Sequence, residues 1–199
     1  MIKKIGIFIF GTLVFINILH AQRFGGGLKF AGTLSQIDGD DIFGFHKPGF
    51  ELGLYGRARL SKTIDLEIDF SFNQRGSLST KNDIQQIKFN LNYIDIPVLL
   101  VIKDWLNGEA EKEYYRMHFF GGLSVGRLIS SSSYSGVDED FNKNDLSWVV
   151  GTTYYYSRNW GITAKYSRSF TSLYEYYKLN RQVNMISYFI SLGFNFKFN

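Results

Sequence analysis

The chain has 199 residues, of which 45% are hydrophobic and 18% aromatic, with a formal net charge of +4 and no cysteine. This length indicates one domain, and the lack of cysteine excludes disulfides, thiolate metal sites and cysteine nucleophiles. The 13 tyrosines and 19 phenylalanines beside only 2 prolines favour a β protein with many strands. No apolar run after residue 20 reaches the roughly 18 residues of a membrane helix.

The N-terminus has the pattern of an export signal. Lys3 and Lys4 precede an apolar stretch over residues 5–18, and Leu19-His20-Ala21 is an acceptable cleavage site. We expect a cleaved signal peptide at 1–21 and a mature domain at 22–199. Removing both lysines takes the formal net charge from +4 to +2, so the charge gives no support for a nucleic-acid partner.

The remaining chain alternates between apolar and polar residues with a period of two. In its last strand the even positions from Ile186 to Phe198 are apolar and the odd positions are mostly polar. Side chains alternate across a strand, so each pattern of this kind gives one apolar face. The same reading predicts eight strands, at 23–35, 49–61, 64–75, 87–103, 115–129, 145–157, 160–170 and 185–199.

None of the proposed outward positions is charged, although 20% of the chain is charged. A sheet that places its charges inside turns its apolar face toward lipid. The predicted fold class is therefore all-β, an eight-stranded antiparallel up-and-down transmembrane β-barrel.

The connections follow the outer-membrane pattern of long loops alternating with short turns. Links one, three, five and seven are long and polar, whereas the links at 62–63 and 158–159 are tight. This predicts the outer membrane of a Gram-negative bacterium, with the long loops outside and both mature termini in the periplasm. The link at 104–114 is longer than a usual periplasmic turn, and the sequence gives no reason for it.

Strand four contains a change of parity. Phe89 and Leu91 would point outward on odd numbers, but from Ile94 the apolar set is even. A one-residue slip predicts a β-bulge at 92–94 that re-aims this strand just before Pro97.

Charged inward residues on strands two and three predict an ion-pair cluster in the lumen: Glu51, Arg57, Arg59, Asp65, Glu67, Asp69 and Arg75. A turn centred on Thr63 gives three facing pairs of opposite sign, Arg59–Glu67, Arg57–Asp69 and Glu51–Arg75, and a shift by two residues gives fewer. An eight-stranded barrel is filled by its own side chains, so we expect a closed lumen rather than a pore.

Catalytic interpretations have little support. His118 and Ser124 share strand five, but six residues along a strand span roughly 20 Å. Asp40, Asp41 and His46 lie in the first loop. A solvated loop explains them more simply than a surface protease or metal site does. We expect no enzyme activity, no cofactor and no metal.

The segment Leu91-Asn-Tyr-Ile-Asp-Ile-Pro-Val-Leu-Leu100 resembles the signature of the PorT-like outer-membrane β-barrel family of Bacteroidetes, Tyr-(Leu/Ile)-Glu-Ile-Pro followed by aliphatic residues. Its matching residues are Tyr93, Ile94, Ile96 and Pro97, and Asp95 replaces the usual Glu. Residues 119–126 are similar to the glycine-rich strand of that family. The resemblance implies residence in the outer membrane, and the family's namesake takes part in type IX protein secretion.

The function expected from sequence is that of a non-enzymatic envelope or secretion-associated barrel acting through its loops or its periplasmic face. Its expected partners are outer-membrane lipid, the outer-membrane insertion machinery, whose assembly signal the last strand resembles, and other envelope or secretion proteins. Four loop tyrosines suit protein or glycan contact: Tyr134, Tyr174, Tyr176 and Tyr177. The alternatives are a small barrel enzyme acting on lipid or peptide, a narrow diffusion pore, and a soluble ligand-binding barrel.

Overall fold

The computed structural model describes residues 24–80, 88–108, 113–133 and 140–198, and the expected signal peptide and Tyr134 lie outside these residues. Within these ranges no helix is long and apolar enough to cross a membrane. The described residues form nine strands: β1 (Phe24–Asp38), β2 (Lys47–Arg59), β3 (Ile64–Leu78), β4 (Lys88–Asn107), β5 (Tyr114–Ser133), β6 (Asn144–Tyr155), β7 (Trp160–Ser169), β8 (Tyr174–Lys178) and β9 (Arg181–Lys197).

Eight of these strands close into a ring. Each strand from β1 to β6 pairs antiparallel with the next, β7 pairs with β9, and β9 pairs with β1. Closure leaves no free edge in the ring, as a membrane barrel requires. The eight-stranded up-and-down barrel is confirmed. The short strand β8, which was not predicted, pairs only with the first residues of β9 and forms a hairpin beyond the ring.

The two faces of the ring differ as the alternation requires. Along β2 the odd-numbered side chains, such as Glu51, are buried, and the even-numbered ones, such as Leu52 and Leu54, are exposed. Aromatic rings lie near both ends of the outer apolar band. Trp160 and Phe196 have ring centroids 4.7 Å apart at one end, and Trp148 and Tyr166 are 5.1 Å apart toward the other. This is the arrangement of lipid-facing barrels.

The two ends of the barrel also differ. We call the end with the connections at 39–46, 79–87, 134–143 and 170–180 the long-loop end. The end with the connections at 60–63, 108–113 and 156–159, where residues 24 and 198 also lie, is the short-turn end. Pairing of β4 with β5 continues as far as Asn107 and Tyr114, so much of the unexplained link at 104–114 is strand.

The predicted register of β2 and β3 is wrong by two residues. Arg57 faces Glu67 and Arg59 faces Asp65, whereas a turn centred on Thr63 would have paired Arg59 with Glu67. The reason lies in Ser61, whose Oγ accepts hydrogen bonds from the backbone N–H groups of residues 63 and 64 at 3.3 and 3.0 Å. This local hydrogen bonding centres the turn on Lys62.

The predicted change of parity in β4 is also wrong, although an irregularity does occur at that level. Odd-numbered side chains of β4 are buried from Phe89 to Lys103, including Leu91. The register shifts between Asn92 and Tyr93 because the neighbouring strand β5 carries an extra residue, Ile129. The bulge therefore re-aims β5 and leaves the alternation of β4 unchanged at this level.

Candidate functional site

A first group of buried charges, the lower cluster, lies in the half of the lumen nearer the short-turn end and consists of Lys29, Arg57, Glu67 and Asp69. Lys29 Nζ lies 2.7 Å from Glu67 Oε1 and 2.6 Å from Asp69 Oδ2. Arg57 donates to Glu67 Oε2 from Nε at 2.7 Å and also from Nη2. Two cations therefore share two carboxylates, and removing any one would leave a buried charge without its partner.

A second group, the upper cluster, surrounds Arg75, whose side chain is 1% exposed. Its Nη2 lies 2.9 Å from Asp95 Oδ1 and its Nη1 lies 3.1 Å from Asp145 Oδ2. The guanidinium carbon lies 3.8 Å from the centre of the Tyr93 ring. Hydroxyl groups of Ser147 and Thr171 donate to Asp145 at 2.7 and 2.9 Å. Arg75 is thus held by charge, by hydrogen bonds and by an aromatic face.

The segment Tyr93–Pro97, singled out by resemblance, is part of this upper cluster. Tyr93 and Asp95 both point inward and contact the same guanidinium, whereas Ile94 and Ile96 lie on the outer face. Pro97 is buried inward opposite Ser124 of β5. Every second residue of this motif points into the lumen, and the residues between them face lipid. The motif therefore alternates because side chains alternate across a strand.

The glycine-rich run of β5 makes room for the same cluster. A Cβ built on Gly126 would meet the Arg75 Nη2 at 3.4 Å and the Asp145 Cβ at 3.3 Å, and would overlap Asp95 Oδ1. A side chain at this position would displace the ion pairs. The two sequence features linked by resemblance, on β4 and β5, therefore meet at one place in the lumen.

None of the three ion pairs predicted from sequence forms. Glu51 pairs across the lumen with Lys165 of β7 at 2.5 Å, and Asp65 pairs with Lys103 at 2.7 Å. Arg59 is exposed at the short-turn end and has no ion pair with any described residue. Six of the seven predicted residues do lie inside and have oppositely charged partners. Arg57 and Glu67 pair with each other, one register step from the prediction, whereas the other four find their partners on other strands.

Above the upper cluster, apolar side chains fill the lumen. We call this group the apolar plug: Ile37, Phe89, Leu91, Tyr93, Leu128, Phe141, Leu173 and Met185. Phe89 and Phe141 meet edge to face with centroids 5.6 Å apart, and Leu91 is 0% exposed. The plug comes from β1, β4, β5 and β9 and from the connections that hold Phe141 and Leu173, so it packs across the lumen from opposite sides.

The β8–β9 hairpin projects from the long-loop end above this plug. Its turn residues Leu179 and Asn180 have φ of 50° and 60°, values that strongly favour Gly, Asn or Asp. Leu179 is 92% exposed and Tyr177 is 79% exposed. The run of tyrosines before Asn180 is the signal from which sequence reasoning could have found this hairpin.

Two contacts fasten the hairpin to the β1–β2 connection. Tyr176 Oη donates to the Gly39 carbonyl at 2.8 Å, and Lys178 Nζ donates to Asp41 Oδ2 at 2.5 Å. The hydrogen bond to the Asp41 carboxylate raises the pKa of the Lys178 ammonium above its usual value. The hairpin and the connection therefore form one joined surface, which we call the loop-end surface.

Two of the side chains considered for catalysis, His118 and Asp40, make contacts within the barrel and its first connection. Arg57 Nη1 lies 3.2 Å from His118 Nδ1, and His118 packs against Tyr155 with centroids 4.6 Å apart. Asp40 accepts a hydrogen bond from the backbone N–H of Ile42 at 2.9 Å, and burial raises the pKa of its carboxyl. Across the described ranges there is no group of three or more His, Cys, Asp or Glu side chains placed to hold a metal ion.

Comparison with known proteins gives a family match and several structural likenesses. Residues 21–175 match a family described as "Outer membrane protein beta-barrel domain". The attachment invasion locus protein Ail of Yersinia pestis is 16% identical, with 87% of this chain and 98% of that chain covered and a TM-score of 0.49. Neisserial surface protein A is 15% identical, with coverages of 89% and 99% and a TM-score of 0.47. OprG of Pseudomonas aeruginosa is 12% identical, with coverages of 88% and 95% and a TM-score of 0.44. No curated protein sequence matches the chain.

Proposed function

Since the chain belongs to the outer membrane protein β-barrel domain family, we propose that it is a closed, non-enzymatic barrel that acts through its loop-end surface. A channel would need a continuous polar path, and the lumen is filled instead by the lower cluster, the upper cluster and the apolar plug. In an eight-stranded barrel such a filled interior is the favoured state.

The observation that carries this proposal is the exposure of large apolar side chains at the loop-end surface. Leu179 is 92% exposed, Phe43 is 84% exposed and Tyr177 is 79% exposed. These residues lie outside the lipid-facing band, where apolar side chains in water gain nothing unless a partner covers them. Exposed aromatic and aliphatic side chains on a fastened hairpin are suited to anchoring a protein partner.

The orientation that fits this role places the long-loop end outside the cell and both mature termini in the periplasm, after removal of residues 1–21. The alternation of long and short connections supports it. Because the chain has no cysteine, single-cysteine variants give a direct test. A membrane-impermeant maleimide added to intact cells should label Leu179→Cys and leave Gly25→Cys unlabelled. The reverse pattern would contradict the orientation.

A finer version assigns the partner to protein secretion. Its support is the resemblance of the Tyr93–Pro97 segment to the PorT-like signature, with Asp95 in place of Glu. On this version the barrel is of the PorT-like type, and the loop-end surface or the short-turn end contacts another envelope or secretion protein.

The test is complementation of a deletion strain, read out by quantitative proteomics of the culture medium and the cell surface. The wild-type protein should restore the parental pattern, and a Phe43→Ser, Tyr177→Ser, Leu179→Ser variant should fail to restore it while assembling equally well. A matched control, Gln182→Ser with Asn184→Ser, changes exposed polar residues on the same hairpin and should complement.

The results of this experiment distinguish the secretion role from an envelope role. Loss of a defined set of secreted proteins in the deletion strain would support the secretion role, whereas changes confined to surface proteins would support an envelope role. Full complementation by the triple variant would contradict action through the loop-end surface.

A further inference from the structure

The short-turn end contains an open cavity of about 590 Å³. It lies below the lower cluster, and its walls come from the inward ends of the strands together with the tight turns. We call it the vestibule. Among the described residues it has no apolar plug of the kind found at the long-loop end. His118 and Arg57 form its floor, and exposed side chains such as Arg158 form its rim.

The vestibule is strongly cationic. Six basic side chains line it, Arg57, Arg59, Lys62, Lys103, Arg158 and Lys197, beside only two carboxylates, Asp65 and Glu113. Arg57 is already balanced by Glu67 of the lower cluster, so the five other cations exceed the two carboxylates by three positive charges. Like charges held this close repel one another, and low-dielectric walls strengthen their common field.

The carboxylates of the barrel do not neutralise this excess. Asp65 is occupied by Lys103 at 2.7 Å, and Arg57 is paired with Glu67 of the lower cluster. Four cations remain without an ion pair to any residue that the structure describes: Arg59, Lys62, Arg158 and Lys197. Lys197 is also half-buried, with its Nζ 5.6 Å from the centre of the Tyr155 ring.

The floor of the vestibule presents donors. A guanidinium can only donate, so in the 3.2 Å contact between Arg57 Nη1 and His118 Nδ1 the histidine nitrogen accepts. The other ring nitrogen of a neutral His118 then carries the hydrogen. Arg57 is held in place by Glu67 and His118 by Tyr155, so this floor is preorganised.

We propose that the vestibule binds a phosphate-bearing anion. Arginine forks match the geometry of phosphate oxygens, and a group with two or more negative charges balances an excess of three positive charges better than a single carboxylate does. The aromatic rings of Trp160 and Phe196 place this end of the barrel at the membrane interface. The phosphate therefore has two possible sources, a phospholipid headgroup or a soluble phosphate compound.

The test uses the mature barrel in zwitterionic detergent, with two probes. Isothermal titration with inorganic pyrophosphate measures the soluble source. Reconstitution in mixed phosphatidylglycerol and phosphatidylcholine, followed by analysis of the lipid retained on purified barrel, measures the headgroup source. The variant is Arg59→Gln with Arg158→Gln. The matched control, Arg127→Gln with Arg168→Gln, removes the same charge from an exposed and a partly exposed arginine toward the long-loop end.

We expect saturable binding that falls about a hundredfold in the vestibule variant, since each lost charge-assisted contact is worth roughly tenfold. The control should bind as the wild type does. Pyrophosphate binding would identify a soluble ligand, and selective retention of phosphatidylglycerol alone would identify a lipid headgroup. Absence of both, or an equal loss in variant and control, would overturn the proposal. None of these outcomes depends on the loop-end surface.

Discussion

The interior of the sealed lumen and the vestibule handle positive charge in opposite ways. In the lumen each of Lys29, Arg75 and Lys165 has a carboxylate oxygen within 3.1 Å. In the vestibule Arg59, Lys62, Arg158 and Lys197 have no such partner among the described residues, and the cavity is open. These three lumen cations are buried, whereas Arg59, Lys62 and Arg158 border water, where an unpaired charge costs much less. A single barrel thus combines a rigid interior with a charged mouth.

The largest expected effect on this contrast comes from removing Arg75, the central cation of the upper cluster. Arg75→Ala would leave Asp95 and Asp145 buried without their partner, and we expect a loss of about 3–5 kcal/mol in the free energy of unfolding. Reversible urea unfolding in lipid vesicles measures this. The control is Arg168→Ala, since Arg168 and Asp38 form an exposed pair at 3.7 Å, for which the loss should be about 0–1 kcal/mol. Equal losses would contradict the paired-lumen account.

A second change tests the apolar plug and the corrected orientation of β4. Leu91→Ala should cost about 2–4 kcal/mol because it opens a cavity among packed side chains. Leu100→Ala, on the outer face of the same strand, should cost less, about 1–2 kcal/mol, because only the transfer of the lost carbons from water to lipid is forfeited and lipid chains fill the space. Unfolding measured under the same conditions compares them. If Leu100→Ala cost more, the odd-numbered residues of β4 would face lipid after all.

A third change separates the aromatic contribution to the upper cluster from the ionic one. Tyr93→Leu removes the ring that lies 3.8 Å from the Arg75 guanidinium, and we expect a loss of about 1–2 kcal/mol from the lost cation–π contact. Tyr93→Phe keeps the ring and should unfold within about 0.5 kcal/mol of the wild type. A large effect of Tyr93→Phe would assign the stabilisation to the hydroxyl instead.

The smallest expected effect concerns the fastening of the β8–β9 hairpin. Since the Asp41 carboxylate raises the pKa of Lys178, their contact is complete below the usual lysine value and is lost as the pH rises through the raised one. Asp41→Asn should lower the pKa of Lys178, as measured by NMR titration of its side chain. An unchanged pKa would show that the hairpin is not held by this pair.

The sequence predicts the barrel well and the ion pairs badly, for a physical reason. Alternation along each strand depends only on which face meets lipid, so strand order and outward faces could be inferred from residues such as Leu52 and Ile96. Partners in the lumen depend on geometry across the ring. Lys165 of β7 reaches Glu51 of β2, and Asp145 of β6 reaches Arg75 of β3. Pairing considered only between neighbouring strands cannot find such contacts.

The structure differs from the sequence prediction in two other places, because the alternation of apolar and polar residues carries no information about local chemistry. Ser61 centres the β2–β3 turn through its hydroxyl and thereby shifts the register by two residues. Phe89 and Leu91 are apolar but face inward, because the plug at the long-loop end is itself apolar. An apolar residue therefore marks the lipid face only along the part of the barrel where the lumen is polar.

The most direct test of the contrast between a sealed lumen and an open vestibule is thiol accessibility in the folded barrel. Gly25→Cys lines the vestibule where an added Cβ meets no atom within 4 Å. Ser71→Cys and Ser187→Cys, at side chains each 3% exposed, report on the lumen. With a charged, water-soluble maleimide, Gly25→Cys should react at least about a hundredfold faster than either lumen variant, whose labelling requires opening of the barrel. Similar rates at all three positions would mean that water passes through the lumen, and the closed-barrel account would then be wrong.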